Sequence, residues 1–362
     1  MPRRSGPSGP QRLSVPRETA LTRDAGIAVP LICGAMYPCS NPELVAAASE
    51  AGAIGIVQPI SLTYVHGRQF RAGLHEIRSL TSKPIGINVI LETSSKIYLQ
   101  RMRQYVDVGL EEGVRFFVTS LGNPRWLCEV VHQAGGKVYH DVTERKWAEK
   151  AIAMGVDGLI AVNDRAGGHA GGLSAERLYE TLAPLGRPLV AAGGVGDEAA
   201  FVRLLNLGYD GVQLGTRFIA TDECTAHASY KEALVRAGPA DIVLTERVTG
   251  VPLAVINTPH VQRIGTRAGA LARWMLRGRR TKHFMRAVYA LRSAVALKRA
   301  ARDGGSSSDY WQAGKSVEGI RSIESAGAIV RRFAEAANRA VGEVSVSVSA
   351  PGAGPPADLP RS

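Results

Sequence analysis

Gly158-Leu-Ile-Ala-Val162, followed by Asn163-Asp164-Arg165 and then Ala166-Gly167-Gly168-His169-Ala170-Gly171-Gly172, decides the architecture when read together with the helix start expected near Ser174. The first run is a short buried strand, and the glycines after it let backbone approach a ligand closely. His169 stands among residues with almost no side chains, so it can face a planar group without bulky neighbours. A Gly-rich loop taken alone is only a connection. Two later stretches repeat its grammar of apolar strand, glycines and helix: Arg187-Pro-Leu-Val-Ala-Ala-Gly193-Gly194-Val-Gly196-Asp197, and Tyr209-Asp-Gly-Val-Gln213-Leu-Gly215-Thr216-Arg-Phe218. Three such junctions imply one shared site.

Working outward, short β-branched runs bounded by Gly or Pro occur at Val29 to Cys33, Ala53 to Val57, Pro84 to Val89, Val114 to Ser120, Lys137 to Val142, Val156 to Val162, Pro188 to Ala192 and Gly211 to Leu214. Helix-period segments lie between them. Asn41-Pro42 and Thr143-Glu144 are starts, and Gly52, Gly155, Gly186 and Gly208 are stops. Strands alternating with helices predict right-handed crossovers and a parallel sheet, and eight units favour closure into a (β/α)8 TIM barrel. An open doubly wound sheet is disfavoured because the first turn, Gly34-Ala-Met36-Tyr-Pro-Cys39-Ser, lacks the GxGxxG fingerprint. In a barrel the site forms at the C-terminal strand ends, with phosphate on the loops after strands seven and eight. These carry Gly193-Gly194 and Gly215-Thr216, where free N–H groups and the Thr216 hydroxyl suit a phosphate.

Pro84-Ile-Gly-Ile-Asn88-Val, Thr119-Ser120-Leu-Gly-Asn-Pro124, the Ala-Gly-Gly-His loop, Ala191-Ala-Gly-Gly, Gln213-Leu-Gly-Thr-Arg-Phe-Ile-Ala-Thr221, Val248-Thr-Gly-Val-Pro252 and Trp311-Gln-Ala-Gly-Lys-Ser-Val carry a specific resemblance. In these motifs the chain resembles the nitronate monooxygenase family, also called 2-nitropropane dioxygenase-like, of FMN-dependent barrels. The resemblance implies that Asn88 bonds the polar edge of a flavin and that Met36 lies against its ring. It assigns Gly167, Gly168, Gly193, Gly194, Gln213, Leu214, Gly215 and Thr216 to holding the ribityl chain and phosphate. His169 matches the histidine that orients substrate or removes the proton beside the nitro group, for which a neutral imidazole is suited. Many members carry Gln-Gly-x-Glu where this chain has Val162-Asn163-Asp164-Arg165. Asn163 has a shorter reach than the missing glutamine; Arg165 offers either a charge near the ligand or a solvated loop side chain.

The implied reaction is FMN-dependent oxidation of a small nitronate or nitroalkane with dioxygen to a carbonyl compound and nitrite, without a metal. The alternative on the same barrel is an NAD(P)H-dependent reductase of an enoyl thioester or a quinone. A third reading starts from charge. Lys and Arg exceed Asp and Glu by 12, and the segment from Arg263 to Arg302 holds ten Arg and two Lys with no carboxylate, so the rest balances at 32 of each sign. Leu271, Trp274, Met275, Phe284, Val288, Leu291 and Val295 give that segment an apolar stripe, so it reads as an amphipathic helix packed on the barrel or as a weak docking surface for an anionic partner or membrane surface. No nucleic-acid motif accompanies it.

The remaining histidines show no metal-ligand spacing; His140, beside Asp141 at the end of strand five, is expected to point toward the barrel mouth. Cys33, Cys39, Cys128 and Cys224 include no CxxC pair, which fits a reducing cytoplasm. No apolar run reaches the length of a transmembrane helix, and assembly into a homo-oligomer is left open. The expected organisation is a basic disordered arm over 1–22, a barrel over 24–237, a helical extension over 238–341 forming a lid on the cofactor end, and a disordered tail over 342–362.

Overall fold

In the computed structural model, which describes residues 18–92, 96–269, 295–302 and 310–348, a closed barrel of eight parallel strands follows the predicted order. The strands are β1 (Leu31–Cys33), β2 (Ile54–Val57), β3 (Ile85–Ile90), β4 (Phe116–Ser120), β5 (Lys137–Val142), β6 (Gly158–Val162), β7 (Leu189–Ala192) and β8 (Gly211–Leu214). Each lies within or very near a run read from the sequence. Closure comes from β1 pairing with β8, Leu31 opposite Val212 and Cys33 opposite Leu214. The helices are α1 (Ala20–Ala25), α2 (Pro42–Glu50), α3 (Phe70–Leu80), α4 (Lys96–Glu111), α5 (Arg125–Gln133), α6 (Arg145–Ala153), α7 (Ala175–Leu182), α8 (Glu198–Leu207), α9 (Thr216–Ile219), α10 (Ala228–Arg236), α11 (Pro259–Ile264) and α12 (Ala326–Val348). Ser174 and Asp197 cap α7 and α8 by accepting from the backbone N–H three residues on.

Period-two alternation sorts the strand side chains into two cores. Ile32, Ile56, Phe116, Val118, Tyr139, Ile160 and Val190 fill the barrel interior, while Leu31, Ile87, Phe117, Leu159 and Val212 pack outward beneath the helices. The interior is closed from below by α1, whose Leu21 is fully buried, and Tyr139 donates to Asp24 Oδ2 at 2.8 Å. The flat Tyr139 ring lies where a Cβ on Gly158 would be only 2.4 Å away, which accounts for glycine at the start of β6.

The region after β8 departs from the expected helical extension in two ways. It carries an antiparallel hairpin, β9 (Ile242–Thr245) and β10 (Leu253–Ile256), because two β-branched runs there pair with each other. Its final helix, α12, packs against α8 and α2, with Phe333 beside Phe201 at 5.2 Å between ring centroids. That is the slot for the helix following β8, which the four-residue α9 cannot fill. The helix 295–302 lies at the C-terminal end of the basic segment; residues 270–294 of that segment are outside the described residues, as are 1–17 and 349–362. Among the described residues no helix is long and apolar enough to cross a membrane.

Because Leu21 plugs the barrel floor, Leu21→Ala should lower unfolding stability by about 3 kcal/mol. Chemical denaturation checks this; an unchanged midpoint would remove α1 from the core.

Candidate active site at the barrel mouth

The loop between β6 and α7 is organised by Asn163, which is 1% exposed. Its Nδ2 donates to Gly193 O at 3.0 Å and its Oδ1 accepts from Arg165 N at 2.8 Å, so one end of the amide ties this loop to the one after β7 and the other braces the loop internally. Asn163 is thus a scaffold here. Arg165 is likewise engaged, in an ion pair with Glu318, and its aliphatic stem covers Gly194. Further along, Gly171 folds back over Val162 so closely that a Cβ would sit 2.2 Å from the Val162 carbonyl oxygen, and it also meets Thr143 just past the end of β5.

Gly168, at φ 71°, accepts from Ala254 N at 2.8 Å in a bridge to β10. The hairpin therefore holds the loop, and His169 Nε2 lies 3.2 Å from Thr249 Oγ1 in the turn between β9 and β10. His169 keeps an open face, yet burial lowers its pKa from 6.5. A concave setting reconciles the two: surrounding protein penalises the imidazolium while one side stays accessible, leaving the ring neutral at physiological pH.

The glycines expected to hold phosphate are distributed unequally. At Gly167 a Cβ would meet Gly314 N at 2.9 Å, and Gly314 N donates to Thr216 Oγ1 at 3.0 Å. At Gly193 it would meet Asn163 Oδ1 at 2.4 Å. Both glycines are needed for the chain to pack on itself. Gly215 differs, because its nearest neighbours are the Met36 side-chain atoms at 3.6 and 3.7 Å, which is ordinary contact. The structure thus brings Met36 and Gly215 together on one side of the mouth.

Alternation directs Asn88, 8% exposed, and Gln213 to the barrel interior, whereas the Leu214 side chain is buried in the outer core and leaves only its backbone for the site. The Gln213 side chain lies across Gly34, and its Oε1 is sealed from solvent without a donor. His140, expected at the mouth, instead shares the outward face of β5 with Val138 and Val142. Asp141 takes the inward position, in phase with Tyr139. One of its oxygens, Oδ1, is buried without a partner. Burial pushes the Asp141 carboxyl up to about 7 and the His140 imidazole down to about 4. Asp141 was legible in principle, since two residues on from an inward Tyr139 the next inward side chain must be 141. Thr249 and Gln312, whose Oε1 comes within 3.5 Å of a Cβ position at Gly168, join the loop from far along the chain and have no local signal.

The two neighbours on β5 have opposite effects on stability. Asp141 holds a proton in the folded state that the unfolded chain releases near 3.8; its contribution is complete below that value and is lost as pH rises through about 7. His140, depressed from 6.5, contributes stability that is present above 6.5 and lost as pH falls through about 4. Asp141→Asn should therefore make stability rise more steeply with pH between about 4 and 6.5. Denaturation midpoints across that window test it, and an unaltered profile contradicts the buried placement. Separately, Gly215→Val should fold normally and lose bound flavin, because the protein leaves room for its Cβ while a branched side chain intrudes into the mouth; a fully flavinated variant would overturn that placement.

Comparison with known proteins places this site in context. A family model described as nitronate monooxygenase matches residues 18–335. The chain is 30% identical over 260 residues, 70% of its length and 71% of the other protein's, to the (3aS,4S,5R,7aS)-5-hydroxy-7a-methyl-1-oxo-octahydro-1H-indene-4-carboxyl-CoA dehydrogenase of Mycobacterium tuberculosis. It is also 30% identical over 272 residues to a nitronate monooxygenase of Pseudomonas aeruginosa, covering 63% of this chain and 77% of that one. Among solved structures, FabK from Thermotoga maritima superposes with a TM-score of 0.73 at 27% identity, over 91% of this chain and 99% of its own. The mouth architecture and a match spanning barrel, hairpin and closing helix together make this chain a member of the nitronate monooxygenase family of flavin-dependent oxidoreductases.

Proposed function

We propose that this protein is an FMN-dependent oxidoreductase acting on an acyl thioester, with chemistry at the carbons next to the thioester carbonyl. The residues of the mouth fit a flavin. Gln213 Oε1 is a buried acceptor in want of a donor, Asn88 also faces the interior from β3, and the Met36–Gly215 side leaves space beside backbone N–H groups. When bound, the flavin would supply the redox step; the protein positions substrate and excludes water.

The observation that carries the substrate class is the charge state of the mouth. Arg165 is paired with Glu318, and buried Arg217 is held by Glu324 at 2.9 Å and by the Ser322 and Ala220 carbonyls. The ionisable group facing inward from β5 is a carboxyl, Asp141. The two arginines named are engaged, and an inward carboxyl disfavours an anionic nitronate to the extent that it ionises, whereas a thioester acyl group is neutral. Similarity to an indene-carboxyl-CoA dehydrogenase over most of both chains supports the same class. His169, neutral and open on one face, is suited to hydrogen-bond the substrate's carbonyl oxygen.

Nitronate oxidation is the second reading, favoured by the likeness to the Pseudomonas aeruginosa enzyme and by the same neutral imidazole. The visible spectrum of the flavin-loaded protein under anaerobic conditions separates the two. A saturable change or bleaching with a saturated acyl-CoA, with none from propionate 3-nitronate, is the expected outcome. Bleaching by nitronate with no response to acyl-CoA would reverse the choice. His169→Asn should retain flavin and slow turnover by about 100-fold; undiminished turnover would remove His169 from the site.

A further inference from the structure

The partners of this protein's aspartates separate two kinds of carboxylate. Asp157 accepts from Val138 N, Lys137 Nζ and the His132 ring, and Asp210 accepts from Leu189 N and Ala20 N. Both fasten strand starts at the barrel floor and are satisfied. Asp141 is at the other end of the barrel, on the inward face of β5, opposite Ile160 of β6 in register. Its Oδ1 is buried with no donor, and no charged neighbour accounts for its raised pKa, of which burial is the cause. A half-buried carboxyl with one oxygen sealed away without a donor costs stability, so packing gives no reason for it.

Its position supplies one. The His169 loop crosses the same rim, since Gly171 packs directly on Thr143, the residue just past β5, and on Val162, which ends β6. Gln213, the other inward polar side chain with an unpartnered buried oxygen, projects into the interior from β8. The site thus presents a neutral imidazole on a loop above and a carboxyl on a rigid strand below. Pairs of titratable groups in different environments are how a site separates hydrogen bonding from proton transfer.

We propose that Asp141 is the acid–base residue of this site, exchanging a proton with the carbon next to the thioester carbonyl while His169 hydrogen-bonds the carbonyl oxygen; this rests on the thioester reading above. In the forward step the Cα–H bond breaks and an O–H bond forms on Asp141. The electron pair stays with the substrate as an enolate, and nothing is oxidised in this step. A carboxyl with a pKa of about 7 can both take and return that proton at neutral pH.

The test uses the flavin-loaded protein and a saturated acyl-CoA deuterated at the α-carbon, kept anaerobic in ordinary water, with loss of deuterium followed by mass spectrometry. Wild type should wash out deuterium, and Asp141→Asn should do so at least about 100-fold more slowly while keeping its flavin and its spectral response to acyl-CoA. Asp141→Ser serves as the second variant if the first does not fold. Equal washout in wild type and variant overturns the proposal with the thioester reading intact. No spectral response of wild type to acyl-CoA overturns the reading, and the proposed proton transfer with it. Independently of substrate, infrared difference spectra of wild type should show a protonated carboxyl that disappears as pH is raised through neutrality and is missing from the variant; absence of that band in wild type overturns the proposal.

Discussion

Backbone laid on backbone is the constraint from which the rest of the site follows. At Gly167 and Gly314 two segments from distant parts of the chain approach until a single Cβ would separate them, and at Gly196 a Cβ would fall 2.0 Å from the Ser316 carbonyl oxygen. Lys315 N donates to Arg165 O at 2.9 Å across the same seam, and the Arg165–Glu318 pair closes its edge. The loops after β6 and β7 are therefore held by the 312–319 segment rather than by their own strands alone. Without that seam the His169 loop would be an ordinary mobile connection, and the concavity that keeps its imidazole neutral would be absent.

The same seam explains the glycine content of the motif. A Gly-rich loop at a barrel mouth suggests room for a ligand, yet here Gly167, Gly193 and Gly171 are required by the chain's approach to itself. Gly215, like Gly172, leaves space for a Cβ. Ligand contact through backbone N–H groups remains compatible with all of them, but the absence of a side chain answers a packing demand at some and leaves an opening at others.

Much of this was legible in the sequence because it depends on local period and punctuation. The eight strands are short β-branched runs between turn residues, and stops such as Gly52, Gly155, Gly186 and Gly208 adopt the positive φ that terminates helices cheaply only with glycine. What escaped is non-local or a matter of phase. The hairpin β9–β10 and the contribution of Thr249 and Gln312 depend on which distant segment lands on the loop. His140 was expected at the mouth, but strand phase puts its neighbour Asp141 there instead: Tyr139 against Phe116, with ring centroids 5.0 Å apart inside the barrel, fixes that phase.

The closing position of α12 has a bearing on how the molecule is made. A chain emerging from the ribosome can form β1 through β8 and pair the first with the last well before residues 326–348 exist, but the groove between α2 and α8, with Phe201 in it, stays bare until they arrive. For that interval the newborn barrel presents apolar surface along α2 and α8. The last stave of the barrel is thus made well after the staves on either side of it, and the interval before it docks is when the nascent chain is most open to unwanted association.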